Sequence, residues 1–431
     1  MKIISAALGA SARLAEWRES EAGLAVSVLS ARPFQGSILF NHDAPLELVR
    51  TSRIMAELVY RNDRYGHTVW ELTLSGQGNE APGEVELRII PPPSAPILYT
   101  REDFAEFRRQ FDQRPSRFPD NSLAAFSAWQ AQYRQKLSAW LMGGARPAAV
   151  APETRWEPLP GPSNFHLERL RYTSRPGRTV EALLALPREA RAKPSPIILA
   201  LHGHEATWGQ AVREAFQPGH INDFCHYFAS NGFAVLATPT MEHRLQNKNW
   251  TLYGEWVWDA LAGLNAVTER PEIDMSRLGV VGLSTGAQLA ELVAALDCRP
   301  RGIVVAGIFT TRNHLSKRFR IPPHCDCGSS KYLMPHIEQS DIVALAAPVF
   351  CQVQHGQQDH CLYPGADPAK LKLDWNTGVM PPEEFAAAVD EVKRAYKLLG
   401  ATDRFSVHIH PGGHAVDNAA ALAWIAKCSK T

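Results

Sequence analysis

The chain has 431 residues, 45% of them hydrophobic and 21% charged, with 45 Lys+Arg against 44 Asp+Glu. That length predicts two domains and a core that needs no disulfide or metal staple. A net charge of +1 leaves no basic excess for nucleic acid and no acidic excess for a solvating tail. The 29 glycines and 31 prolines are too few for a low-complexity or collagen-like chain.

Residues 1–12 carry one Lys and a short apolar run that ends in Ala10-Ser11-Ala12. Ser5 and Gly9 break the run, so a cleaved secretion signal is not expected. No stretch reaches the ~20 apolar residues of a membrane span. Residues 1–92 then read as an N-terminal β-rich, sandwich-like domain. Leu24, Val26 and Val28 alternate with small or polar neighbours, as do Trp70, Leu72 and Leu74, and Val85, Leu87 and Ile89. A period of two means strands with one face on a core and one on water. Residues 75–79 and 81–83 supply turn signals between strands. Pro91-Pro92-Pro93 stiffens the boundary.

Residues 93–150 are expected to form a helical connecting segment. Phe104, Phe107 and Phe111 share a helical spacing. Asp120 or Asn121 is placed to cap a second helix. Leu123, Phe126, Trp129, Tyr133 and Leu137 give it an apolar face, which predicts a packing surface between domains. Gly143-Gly144 ends it.

Residues 151–431 alternate strands and helices, which predicts a parallel sheet clad by helices. Residues 196–201 form a continuous apolar run, as a strand buried on both faces requires. A helix is expected near 211–230, a strand at 234–237 and a Trp-rich helix near 250–269. Strands follow at 278–282, 303–307, 349–354 and 406–410. Helices fall near 287–296, 383–399 and 415–427. The sequence shows no internal repeat.

The sharpest chemical signal is Gly282-Leu283-Ser284-Thr285-Gly286. A buried strand leads in and a small-residue helix leads out, so the turn would present the Ser hydroxyl above the sheet edge. The alternative is an ordinary turn whose Ser caps the helix. A hydroxyl nucleophile needs a base, and the base needs an orienting carboxylate. Asp359 follows the strand at 349–354, and His414 follows the strand at 406–410 within Gly412-Gly413-His414. Asp341, Asp367 and Asp374 are rivals that follow no strong strand closely. His408 and His410 lie on their strand with the same orientation and read as structural. An oxyanion hole would use the Thr285 amide and an amide just after His202-Gly203, with His204 and Glu205 nearest. Trp250, Trp256 and Trp258 pack a helix core or line a pocket. Glu205, Trp208 and Trp256 are the candidate pocket residues.

Seven cysteines, at 225, 298, 325, 327, 351, 361 and 428, leave the first 224 residues without one. That pattern fits reduced thiols and a cytoplasmic protein rather than a disulfide framework. His324-Cys325-Asp326-Cys327 has one ligand pair at the wrong spacing and no clean second pair, so no metal site is expected there. Cys351 reads as a core residue. No cofactor is expected.

On these residues the chain resembles the α/β-hydrolase superfamily, in its dienelactone-hydrolase-like and acetyl xylan esterase-like branches. The likeness spans roughly residues 155–426. It rests on Leu201-His202-Gly203-His204, on 258–261 and 273–279, on the Gly282–Gly286 pentapeptide, on 341–348, on His355-Gly356-Gln357-Gln358-Asp359 and on Gly412-Gly413-His414. The resemblance implies an α/β-hydrolase fold, a mostly parallel sheet flanked by helices. It implies a Ser284, Asp359, His414 triad acting on carboxylic esters, often acetylated sugars, with Thr285 and His204 as amide donors. Thr285 stands where many relatives carry Gln or His, and Glu205 stands where many continue with glycines. The first 150 residues match no domain of that group. A lactonase, thioesterase, amidase or carbon–carbon bond hydrolase would use the same scaffold. A binding protein with a vestigial triad is the reading from another class. The expected partner is a small-molecule or carbohydrate ester, with no nucleic acid and no membrane. The N-terminal domain would shape a pocket mouth or build a homo-oligomer interface.

Overall fold

The computed structural model describes residues 2–20, 23–41, 46–62, 68–89, 117–144, 153–191, 193–203, 214–219, 223–239, 250–311, 333, 336–359 and 382–429. The chain divides into two compact units, Met1–Leu98 and Tyr99–Thr431.

The first unit holds β1 (Lys2–Ala7), β2 (Ala12–Ser20), β3 (Gly23–Ser30), β4 (Phe34–Asn41), β5 (Leu46–Ser52), β6 (Met55–Asn62), β7 (Thr68–Gly76) and β8 (Asn79–Ile89). They form two four-stranded antiparallel sheets, ordered β1-β4-β7-β6 and β2-β3-β8-β5. Leu24, Val26, Val28, Val85 and Leu87 from one sheet meet Ile38, Phe40, Trp70, Leu72 and Leu74 from the other in one buried core. The two-residue alternation of the sequence is therefore the sandwich interior. Residues 81–83 are a correction: they run inside β8 and make no turn. Between Val28 and Ser30 the pairing of β3 with β8 jumps from Gly83 to Asn79. Pro82 lies in that irregular stretch, where its missing N–H costs no ladder bond.

The second unit begins with α1 (Leu123–Met142). Phe104, Phe107 and Phe111 lie outside the described residues. Ser122, and neither Asp120 nor Asn121, caps the helix, accepting the Ala125 amide at 3.2 Å. Leu123 is 53% exposed and off the packing face. Phe126, Trp129, Tyr133 and Leu137 are buried against the second unit's own core, which corrects the expectation of a face between domains. Gln130 Nε2 donates to the carbonyls of Ala344 (3.0 Å) and Ala347 (2.8 Å). Both carbonyls lie at the C-terminal end of a neighbouring helix, where helix carbonyls run short of intrahelical donors; Ala344 O also accepts the Ala347 amide at 3.3 Å.

After α1 come β9 (Thr154–Leu159), β10 (Phe165–Arg175), β11 (Arg178–Pro187), β12 (Ser195–Leu201), α2 (Phe224–Ser230) and β13 (Ala234–Thr238). Then come α3 (Leu252–Val267), β14 (Ile273–Leu283), α4 (Thr285–Leu296), β15 (Gly302–Ala306) and α5 (Gln339–Ala346). The last are β16 (Phe350–Gly356), α6 (Pro382–Leu398), β17 (Phe405–His410) and α7 (Asn418–Cys428). The helix expected near 211–230 is shorter among the described residues, a 3-10 turn at Glu214–Phe216 and then α2.

The nine strands make one sheet, ordered β17-β16-β15-β14-β12-β13-β11-β10-β9. β12 to β17 are parallel, whereas β11, β10 and β9 run antiparallel. Alternate residues of each parallel strand enter opposite cores. Leu199, Val280 and Val305 pack with α3, α4 and α5; Ala200, Val281 and Val304 pack with α2 and α7. Continuous apolar runs are what a sheet covered on both faces demands. All parallel strands end at one rim, where Leu283, Ala306, Gln354 and His408 lie side by side in register.

Candidate active site

Ser284 stands one residue past β14 with φ 55° and ψ −117°. A positive φ is rare for a residue with a Cβ, so this turn is strained. Steric necessity explains its glycines. A Cβ on Gly282 would lie 2.2 Å from the Gly286 carbonyl oxygen, and one on Gly286 would lie 1.9 Å from that of Leu201. The Ser284 amide donates to Ala306 O at 2.8 Å, which pins the turn to the neighbouring strand. Its carbonyl accepts from the Ala287 (3.0 Å) and Gln288 (3.2 Å) amides. Its hydroxyl makes no cap bond to α4. The alternative of a simple helix-capping Ser is therefore not what the structure holds. Ser284 is half-buried among fully buried neighbours. Thr285 opens α4, so its amide belongs to the positive, unpaired end of that helix.

Asp359 lies three residues beyond β16 and is fully buried. His414 lies four residues beyond β17, with 17% of its side chain exposed. His414 Nδ1 is 2.8 Å from Asp359 Oδ2. With Nδ1 donating to a carboxylate, the ring's Nε2 carries the acceptor lone pair, as a general base needs. The two loops are zipped together: Gln357 N donates to His410 O (2.7 Å) and Gln358 N to Gly412 O (2.9 Å). Asp359 N returns to Gly356 O at 3.0 Å. The acid and the imidazole are thus set by backbone bonds at the rim that also carries Ser284.

His355, on β16, is buried beside this pair and was not singled out by the sequence. Its Nε2 lies 3.1 Å from Phe309 O. Burial drives its pKa down to about 4, against the upward pull of Asp359. It is neutral where His414 would work. His408 and His410 are structural, as read. His408 Nε2 meets Asp417 Oδ2 at 2.8 Å, and His410 Nδ1 accepts the Gly412 amide at 3.2 Å. Asp341 is occupied as a helix cap, accepting the Glu338 amide at 3.1 Å in a capping box. Trp256 is 2% exposed and packs at 5.5 Å on Tyr253 within the core. Trp258 Nε1 donates to Ser174 O, and Arg175 covers the Trp250 ring. These placements are core packing. Cys351 is a buried strand residue, and Cys225 and Cys428 are buried cysteines in no disulfide. His204, Glu205, Trp208, Asp367, Asp374, Cys361 and the 324–327 segment lie outside the described residues.

No protein-family model matches the sequence. A protein of Bacillus subtilis (strain 168), YtaP, named provisionally as a hydrolase, is 24% identical over 221 residues, covering 44% of this chain and 73% of its own. A solved structure from Bacteroides fragilis NCTC 9343, provisionally an acetyl xylan esterase, superposes with a TM-score of 0.53 at 17% identity. It covers 71% of this chain and 80% of that one. A glucuronoyl esterase from Solibacter usitatus gives a TM-score of 0.50 at 14% identity, covering 73% and 95%. These likenesses and the sheet order define the class: the chain carries an α/β-hydrolase fold.

Proposed function

We propose that the chain is a serine hydrolase that cleaves a carboxylic ester through an acyl-enzyme. The observation that supports this most is the His414–Asp359 pair at 2.8 Å, on the same sheet rim as a strained Ser284 whose hydroxyl makes no cap bond. In this reading Ser284 Oγ attacks the ester carbonyl carbon while His414 Nε2 takes its proton. The carbonyl oxygen becomes an oxyanion and is held by the Thr285 amide, with His204 expected to supply the second. The tetrahedral adduct collapses, and the alcohol leaves with the proton from His414. Water then attacks the acyl group, His414 again accepting a proton, and the acid departs as Ser284 Oγ–H is restored. Asp359 stays ionised and stabilises the imidazolium.

The names of the fold neighbours, acetyl xylan and glucuronoyl esterases, favour an acylated carbohydrate or similar small ester as substrate. Turnover of one acyl group presented as ester, thioester and amide tests the bond class. Fastest ester turnover, lost in both Ser284→Ala and His414→Ala, is expected. Ester turnover that survives both substitutions would refute the assignment.

A further inference from the structure

We propose that Gly307 is a positioning residue for the His414 imidazole, an inference that rests on the triad reading above. Gly307 directly follows β15 and has φ +72°. Its amide donates to Gln354 O on β16 at 2.9 Å, and the preceding Ala306 carbonyl accepts the Ser284 amide at 2.8 Å. A Cβ built on Gly307 would fall 2.9 Å from His414 Cε1, 3.0 Å from His414 Nδ1 and 3.3 Å from Asp359 Oδ2. The edge of the ring that bonds the carboxylate therefore rests on a bare Cα. The first two distances are too close for carbon against a ring held in place, and the same Cβ crowds the carboxylate. The ring has little room to yield, because Asp359 is fully buried and its loop is bonded to the His414 loop at two amides.

The dipeptide Ala306-Gly307 is thus the common reference for the site. Its first carbonyl fixes the nucleophile's backbone, and its second Cα fixes the depth of the base. A methyl at 307 would push the imidazole outward or separate it from Asp359. Either shift takes Nε2 off line from Ser284, and a misplacement of about 1 Å costs on the order of 100-fold in rate.

Positive φ alone strains any side chain, so the test needs a matched control. Gly400 has φ +65° and nothing within 4 Å of a built Cβ. Gly400→Ala carries the backbone strain without the collision. A fluorophosphonate probe reads serine activation with no knowledge of the substrate. Gly400→Ala should label Ser284 at the wild-type rate, and Gly307→Ala about 100-fold slower. Gly307→Ala should also lose the far-downfield proton resonance of the imidazole–carboxylate bond. With an ester substrate, kcat should fall while KM holds.

A Gly307→Ala chain that folds poorly is read in a His414→Ala background. Removing the ring makes room for the methyl, so the melting-temperature cost of Gly307→Ala should drop to that of Gly400→Ala. A cost unchanged by His414→Ala, or labelling of Gly307→Ala as fast as Gly400→Ala, overturns the proposal alone. A wild-type chain that takes no label at Ser284 removes the triad assignment and the proposal with it.

Discussion

Asp259 on α3 and Asp359 at the sheet rim are both almost wholly buried, at 1% and 0% exposure, yet they are satisfied in opposite ways. Asp259 accepts from Ser174 Oγ (2.6 Å), from Arg178 Nε (3.1 Å) and Nη2 (2.9 Å), and from Arg175 Nη1 (3.3 Å). Burial pushes its carboxyl pKa up, and Arg178, Ser174 and Arg175 pull against that shift. A guanidinium does not surrender its proton, so those cations hold one charge state and tie α3 to the β10–β11 hairpin. Asp359 instead faces an imidazole, a group able to take up and release a proton. Burial of a carboxylate alone therefore does not mark an active site. The kind of partner, guanidinium or imidazole, and the position at the rim separate the two.

The largest expected effect lies at the rim. Asp359→Asn keeps the shape but leaves the His414 tautomer unset, so kcat/KM should fall by roughly 10⁴. Steady-state turnover beside a thermal melt measures this, and a melt shift as severe as the rate loss would erase the contrast. Asp259→Ala should do the reverse. Two arginines lose a buried carboxylate, which costs about 3–5 kcal/mol. Urea unfolding would read that loss, while activity per folded molecule stays near wild type.

His355 sharpens the contrast through pH. Its folded pKa of about 4 lies below the unfolded value of about 6.5, a gap worth about 3 kcal/mol. Below pH 6.5 the unfolded chain takes up this proton first. The associated stability is complete above that pH and drains away as pH falls toward 4. His355→Asn should flatten that part of the stability–pH curve, which denaturation midpoints at a series of pH values would show. An unchanged slope would deny that His355 is buried neutral. The smallest effect is expected at Gln130. Gln130→Leu would remove the side-chain donor from the Ala344 and Ala347 carbonyls, of which Ala344 keeps the Ala347 amide, and cost about 1–3 kcal/mol. A drop in melting temperature without loss of labelling at Ser284 is the expected outcome.

The parallel half of the sheet was legible because its strands are buried on both faces and read as unbroken apolar runs. The antiparallel half was not. β9 is an edge strand containing Pro158, with half-exposed positions at Trp156 and Leu159. β10 and β11 carry cross-strand charges such as Arg171 opposite Glu181, which interrupt the apolar pattern. The turn signal Pro176-Gly177 between them, where Arg175 pairs with Arg178, was the available clue. The placement of Ser284, Asp359 and His414 at one rim was legible because each follows a recognisable strand. The closeness of Gly307 and His355 to that pair was not, since it comes from what lies across the rim and no spacing along the chain encodes that.

The central claim is that Ser284 is an activated nucleophile served by His414 and Asp359. Fluorophosphonate treatment of the folded chain, followed by peptide mass mapping, tests it most directly. The account predicts a single adduct on Ser284 that is lost after heat denaturation and slowed by orders of magnitude in Asp359→Asn. A folded wild-type chain with no adduct at Ser284, or one that labels equally fast with Asn at 359, would contradict it.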